Sequence, residues 1–182
     1  MSRQTTSMVL LAGGIALLSA GSAFATQYLS MEEAQRVMFP DATTFKPVPL
    51  SLTTEQMHQV QALANLPARS VQWRVTAAWH GENLLGYCVQ DDVIGKYELI
   101  SYAVALQPDA TVKQIEILAY RESHGFEIRN AAWRKQFVGK SAQAGLAVGG
   151  GIANISGATL STNHVTDGVR RIAAVVQVAL KR

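Results

Sequence analysis

The chain has 182 residues, of which 48% are hydrophobic and 16% charged. That is long enough for one domain with a buried core, and too apolar for wholesale disorder. A formal charge of +3 without any basic run gives no footing for nucleic acid as a partner.

The first 25 residues read as a secretory signal. Arg3 supplies the positive start, Met8 to Leu18 the apolar stretch, and Ala23 and Ala25 the small residues that a signal peptidase reads. Cleavage is expected between Ala25 and Thr26, which leaves 26–182 as the working domain. The apolar run is shorter than the roughly 20 residues of a spanning helix; retention as an N-terminal anchor is the alternative. Export permits disulfides, but Cys88 is the only cysteine, and its strand-like surroundings predict a small buried hydrophobe.

In the domain, Ser30 followed by Glu33 predicts a capping box, with Ala34, Val37 and Met38 as a helical face and Pro40 as the stop. A second helix starts from Thr53 or Thr54, with Met57, Val60, Leu63 and Ala64 as its apolar face and Pro67 behind it. Alternation of apolar and polar positions then predicts a strand over Val71–His80, and the turn "HGEN" leads to a second at Leu84–Gln90, a hairpin signal. A second pair, "GKYELISYAVAL" and "TVKQIEILAYRE", is joined at "QPDA". After Glu122 come a glycine turn, a short helix carrying Trp133 and Phe137, and a glycine-rich stretch. Asn163 to Leu180 closes the chain as an amphipathic helix, with Val165, Val169, Ile172, Val176 and Leu180 on one face. The expected fold is α+β: a single domain with an antiparallel sheet of about four strands, N-terminal helices and a C-terminal helix.

The stretch "SGATLST", Ser156 to Thr162, carries more hydroxyls than one helix cap requires. Ser, Thr and Asn at a helix start are ordinary capping residues. The same residues also suit an anion. Gly157 and Ala158 allow close approach, the first helical turn offers unpartnered N–H groups, and Ser156, Ser161 and Thr162 add donors. Thr159 stands at the edge, able to carry a phosphate as an ester. Neither a P-loop nor a secure dinucleotide fingerprint is present. No spacing among the four histidines suggests a metal site.

With Thr159 at its centre, "SGATLS" resembles the flavinylation motif of the FMN-binding domain family. That family includes the G subunit of Rnf-type complexes, the C subunit of the sodium-pumping NADH:quinone oxidoreductase and many small exported proteins. "ILAYRESHGFEIRNAAWRKQFVGK", the central strands and the N-terminal helix "YLSMEEAQRVMFPDA" also resemble family segments, so the likeness spans nearly all of the domain. The resemblance implies FMN joined through its phosphate to Thr159. A separate flavin transferase makes the bond, using FAD and a divalent metal ion. It further implies that Glu122 and Gly125 lie near the flavin, and that the flavin passes electrons among membrane or periplasmic redox partners outside the cytoplasmic membrane. The protein is then an electron carrier or redox subunit more than a stand-alone enzyme. Trp133 and Phe137 are either flavin neighbours or core, and Lys140, His124 and His164 are either flavin contacts or solvated side chains. Ala153 stands where the family commonly carries Asp, three residues before the motif serine. A second expectation therefore stands beside the first: an exported module of this fold that binds flavin or another phosphate ligand reversibly, or not at all.

Overall fold

The computed structural model describes residues 26–181. The candidate signal, residues 1–25, lies outside them. In chain order the elements are β1 (Thr26–Gln27), α1 (Met31–Met38), β2 (Thr44–Ser51), α2 (Thr54–Ala64), β3 (Gln72–His80), β4 (Asn83–Ile94), β5 (Leu99–Leu106), β6 (Val112–Tyr120), a 3-10 turn (Phe126–Arg129), α3 (Ala131–Lys135) and α4 (Thr159–Ala179). All strand pairs are antiparallel, in the order β1-β6-β5-β4-β3-β2.

The α+β class agrees with the sequence, but the sheet has six strands where about four were expected. The two extra strands are its edges. β1 is only two residues long. β2 contains Pro47 and Pro49, which lack the N–H a central strand needs, yet it pairs with β3 alone, and an edge strand tolerates proline.

Both N-terminal helices start as expected. The Glu33 carboxylate accepts from the Ser30 N–H at 2.7 Å, and the Ser30 hydroxyl accepts from the Glu33 N–H at 3.2 Å. Thr53 and Gln56 make the same reciprocal pair at 2.9 and 3.2 Å. Asn65, left-handed at φ 52°, ends α2. Val37 departs from its expected place, being exposed while Ala34 and Met38 are buried.

The sheet is covered on both faces. Val89, Tyr102, Val104 and Ile115 pack with α2 and with Val165, Val169, Ile172 and Val176 of α4. On the other face Ala78, Cys88, Ala103 and Ala105 meet Ala34, Met38 and Phe39 of the α1 region. Small residues on that face leave room for α1 to lie close. Cys88 is a buried free thiol, and burial pushes its pKa up to about 12, so it serves as the expected hydrophobe. Trp133 and Phe137 are buried edge to face, ring centroids 5.0 Å apart, and belong to the core.

Two boundaries place the segments that carry hydroxyls and glycines. β4 and β5 pair out to Ile94 opposite Leu99, so residues 95–98 form a hairpin tip and not the start of a strand. α4 begins at Thr159, well ahead of the expected Asn163, so Thr159 is its first residue and does not stand outside it.

Candidate functional site

Three segments far apart in sequence converge at the start of α4. They are the β4–β5 hairpin tip, the turn after β6, and the turn that leads into α4. Between them lies an open cavity of about 390 Å³, lined by Lys96, Tyr97, Glu122, Ser123, His124 and the run Gly157 to Ser161.

The helix start is built without a capping side chain. Ala158 occupies the cap position, and no side chain bonds there. The first intrahelical bond runs from Thr162 N–H to Ala158 C=O at 2.9 Å. The N–H groups of Thr159, Leu160 and Ser161 therefore have no intrahelical partner, and all three residues line the cavity. An anion placed there meets free donors and the positive end of a 21-residue helix.

The hydroxyls divide sharply. Thr159 is exposed, and its Oγ1 accepts from Asn154 Nδ2 at 3.2 Å. Ser161 is buried but reaches the cavity wall. Thr162 is fully buried and turns back to donate to the Ala158 carbonyl at 2.9 Å, so its hydroxyl serves the helix and not the cavity. Ser156 is exposed but does not line the cavity. Gly157, at φ +79°, provides the left-handed turn into the helix and has open space about it. Ala158 gives no spare room, because its methyl is buried against Gly125.

Gly125 sits behind the wall. At φ +85° an added Cβ would overlap the Ala158 Cβ and lie 2.7 Å from Tyr120 Oη. The Tyr120 hydroxyl donates to the His124 carbonyl, which closes the turn between them. Ser123 Oγ lies 2.9 Å from His124 Nδ1.

Glu122 joins the turn to the hairpin. Its Oε1 accepts from the N–H of Tyr97 at 2.6 Å and of Glu98 at 3.0 Å. Burial by itself would raise this carboxyl. The backbone N–H groups of Glu98, Tyr97 and Lys96, with the Lys96 ammonium, outweigh it and hold the pKa below the usual carboxylate range. Gly95 lets the carboxylate in, since a Cβ there would lie 2.6 Å from Glu122 Oε1 and 2.9 Å from Ser161 Oγ. His164 Nδ1 lies 2.5 Å from the Ile94 carbonyl, an acceptor only, so the ring donates and secures the strand that leads into the tip.

Of the expected site residues, the cavity thus unites Thr159, Gly157, Ala158, Ser161 and Glu122 and leaves Ser156, Thr162 and Gly125 off its wall. Lys140 is not on it; its stem packs on Gly145. Lys96, Tyr97 and Leu160 were not singled out from sequence. A Gly-Lys pair at a hairpin turn was the available signal, hidden by reading residues 95–98 as strand. Ala153, in the family's Asp position, is held through its backbone. Its N–H donates to Gln136 Oε1 at 2.8 Å, and its carbonyl accepts from Trp133 Nε1 at 2.9 Å. Among the described residues no group of three or more metal-ligating side chains converges, and no helix is long and apolar enough to cross a membrane.

An α+β domain with an open, anion-ready cavity at the uncapped start of its closing helix is the class that fold and site define. Residues 95–174 match the family model of the FMN-binding domain, and that span holds every residue lining the cavity. The solved structures include NqrC from Shewanella oneidensis, similar at 16% identity over 76% of this chain and 80% of that one, with a TM-score of 0.49. No curated protein matches the chain. The residues present fit FMN: free helix N–H groups and an exposed hydroxyl suit its phosphate, and Tyr97 and Leu160 offer bare apolar surface within the same cavity.

Proposed function

We propose that the protein is an exported electron carrier whose FMN is esterified through its phosphate to Thr159. The observation that carries this reading is the placement of Thr159. It is an exposed hydroxyl at the first position of an uncapped helix, on the wall of a cavity open to a large ligand. Attachment there keeps the phosphate's negative charge beside the free N–H groups of Leu160 and Ser161 and the positive helix end. A tether also prevents loss of the cofactor outside the cell.

In the attachment step the Thr159 Oγ1 forms a bond to the flavin-side phosphorus of FAD. The phosphoanhydride bond breaks, AMP leaves, and the hydroxyl proton passes to a base on the flavin transferase. Asn154 favours this geometry. Its amide donates to Thr159 Oγ1, so the hydroxyl proton stays free to leave while the oxygen is held. A polar neighbour of the reacting oxygen thus stands one residue after Ala153. Bound FMN supplies the redox chemistry; the protein holds and tunes it. The partners are a flavin transferase and redox proteins at the outer face of the cytoplasmic membrane. Residues 1–25 are the export signal, cleaved after Ala25, and 26–182 the FMN-binding domain.

The test is expression with a flavin transferase, followed by denaturing electrophoresis and intact mass. Wild type is expected to carry in-gel flavin fluorescence and the mass of one added FMN residue; Thr159→Ala loses both. Asn154→Ala slows loading while leaving thermal stability unchanged. A denatured wild-type chain of bare mass overturns covalent attachment. Flavin released from a yellow native protein on denaturation would assign reversible binding instead.

A further inference from the structure

Tyr97 combines two properties that seldom meet. Its side chain is 75% exposed, the barest of the large hydrophobic residues described. Its backbone is nonetheless tied to a buried carboxylate. The Tyr97 N–H donates to buried Glu122 at 2.6 Å, Glu98 does the same at 3.0 Å, and Gly95 N–H closes the tip on the Glu98 carbonyl at 2.8 Å. An aromatic ring left in water forgoes the stabilisation that burial would bring. A buried carboxylate, three loop N–H groups and the close approach at Gly95 together place the backbone that carries the ring.

The neighbours sharpen the point. Ile94, Leu99 and Leu160 are also exposed, at 61%, 46% and 47%. Ile94 and Leu99 flank the hairpin tip, and Leu160 lines the cavity beside Thr159. Lys96 Nζ lies 4.8 Å from the Tyr97 ring centroid, a cation held beside the ring in the same cavity. This is the surface a flat, polar-edged aromatic ligand requires: an open ring, an aliphatic contact and one positive charge.

We propose that Tyr97 is the platform on which the isoalloxazine ring lies, with Leu160 as its aliphatic contact and Lys96 as the cation at its edge. This rests on the reading of Thr159 as the flavin's tether, from which the ribityl chain leads the ring into the cavity. Glu122 and Gly95 are positioning residues, acting through the hairpin backbone. The electron-rich phenol stacks more favourably on the oxidised ring than on the reduced one, and it quenches the ring's fluorescence. Lys96 favours the reduced, anionic ring. The site therefore takes a flavin over a phosphate ligand lacking an extended ring.

The experiment uses the flavin-loaded full chain. Fluorescence lifetime, visible absorption and midpoint potential are compared for wild type, Tyr97→Leu, Tyr97→Phe, Lys96→Gln and the remote exposed control Val138→Ser. In the native state Tyr97→Leu is expected to brighten the flavin several-fold and broaden its absorption structure. Tyr97→Phe brightens it but keeps the absorption shape, and Lys96→Gln lowers the midpoint potential. Val138→Ser changes nothing. Fluorescence per chain after denaturation stays equal in all five, which shows that loading is unaltered. Native lifetimes equal in wild type and both Tyr97 variants overturn the platform while leaving the Thr159 tether standing. The same result with slowed electron exchange to a protein donor also overturns it and assigns the patch to a redox partner. A wild-type chain that takes no flavin overturns the tether reading and this proposal with it.

Discussion

Glu122 shows how one side chain links the chemistry of a site to the stability of its walls. It is 7% exposed, accepts from hairpin N–H groups and lies beside Lys96, and its pKa is held below the usual carboxylate range despite burial. A carboxyl whose folded pKa is depressed stabilises the fold above its unfolded pKa, and that contribution is lost as pH falls through the folded value. Glu122→Gln keeps the shape and an acceptor oxygen but removes the charge. At pH 7 the variant is expected to unfold about 1–2 kcal/mol more easily, the usual advantage of a charged acceptor. The gap closes as pH falls below the ordinary glutamate value and on through the lower folded one, where the wild-type carboxyl is protonated too. Denaturant unfolding of both proteins across that range checks this; a gap that persists in acid would mean the charge is not what holds the hairpin. The sequence singled out Glu122 only through the family's glycine-turn segment. Nothing local told a solvated strand end from a carboxylate wrapped by another hairpin, because its partners lie at residues 97 and 98, more than twenty positions upstream.

At the scale of elements, the sequence was most legible where a local rule acts alone. The two capping boxes depend on neighbours within a few residues and appear in the fold, as does the alternation from Gln72 to Ala77 in β3. Val71 falls outside that strand and is exposed, and β4 and β6 are buried in continuous runs because helices cover both faces of the sheet. Edges were not legible, because whether Pro47 and Pro49 are tolerated depends on which side of β2 faces solvent. Nor was the start of α4. Hydroxyl-rich residues read as caps, yet Ser161 and Thr162 lie inside the first turn, and the cap position falls to an alanine. The packing of α4 on the sheet yields a prediction of its own. Gly168 is buried mid-helix, where alanine would ordinarily gain about 1 kcal/mol. Here an added Cβ would overlap the hydroxyl of Tyr102 and lie 2.9 Å from its Cζ. Tyr102 is fully buried and donates to Asp91 Oδ2 at 2.9 Å, so it has little freedom to retreat. Gly168→Ala should therefore destabilise by about 1–3 kcal/mol. Adding Tyr102→Phe should recover part of that loss by removing the overlapping oxygen, a non-additivity that a double-mutant cycle reads directly. Strict additivity would show that the helix shifts to accommodate the methyl and that α4 is not held where it stands.

For the whole molecule the decisive property is that the cavity has no single owner. Its walls come from the β4–β5 tip, the turn after β6 and the head of α4. The rest of each element is anchored in the core. β5 and β6 are buried along most of their length, and α4 buries most of its residues from Ser161 to Val176. The tip has less to hold it, with Lys96, Tyr97 and Glu98 all exposed and secured chiefly through Glu122 and through Gly95 beneath. Such a region opens locally at a lower cost than the sheet that carries it. A flavin tethered at Thr159 and lying against Tyr97 would join the head of α4 to the tip directly and raise the cost of that local opening. Amide hydrogen exchange on apo and flavin-loaded protein is expected to slow over residues 95–98, 122–125 and 157–161, with the amides of β3 and of mid-α4 unchanged. Slowing confined to 157–161 would mean a phosphate held without a ring platform. Slowing spread evenly over the sheet would mean that the ligand stabilises the global fold, and that the three walls are already one rigid unit before it binds.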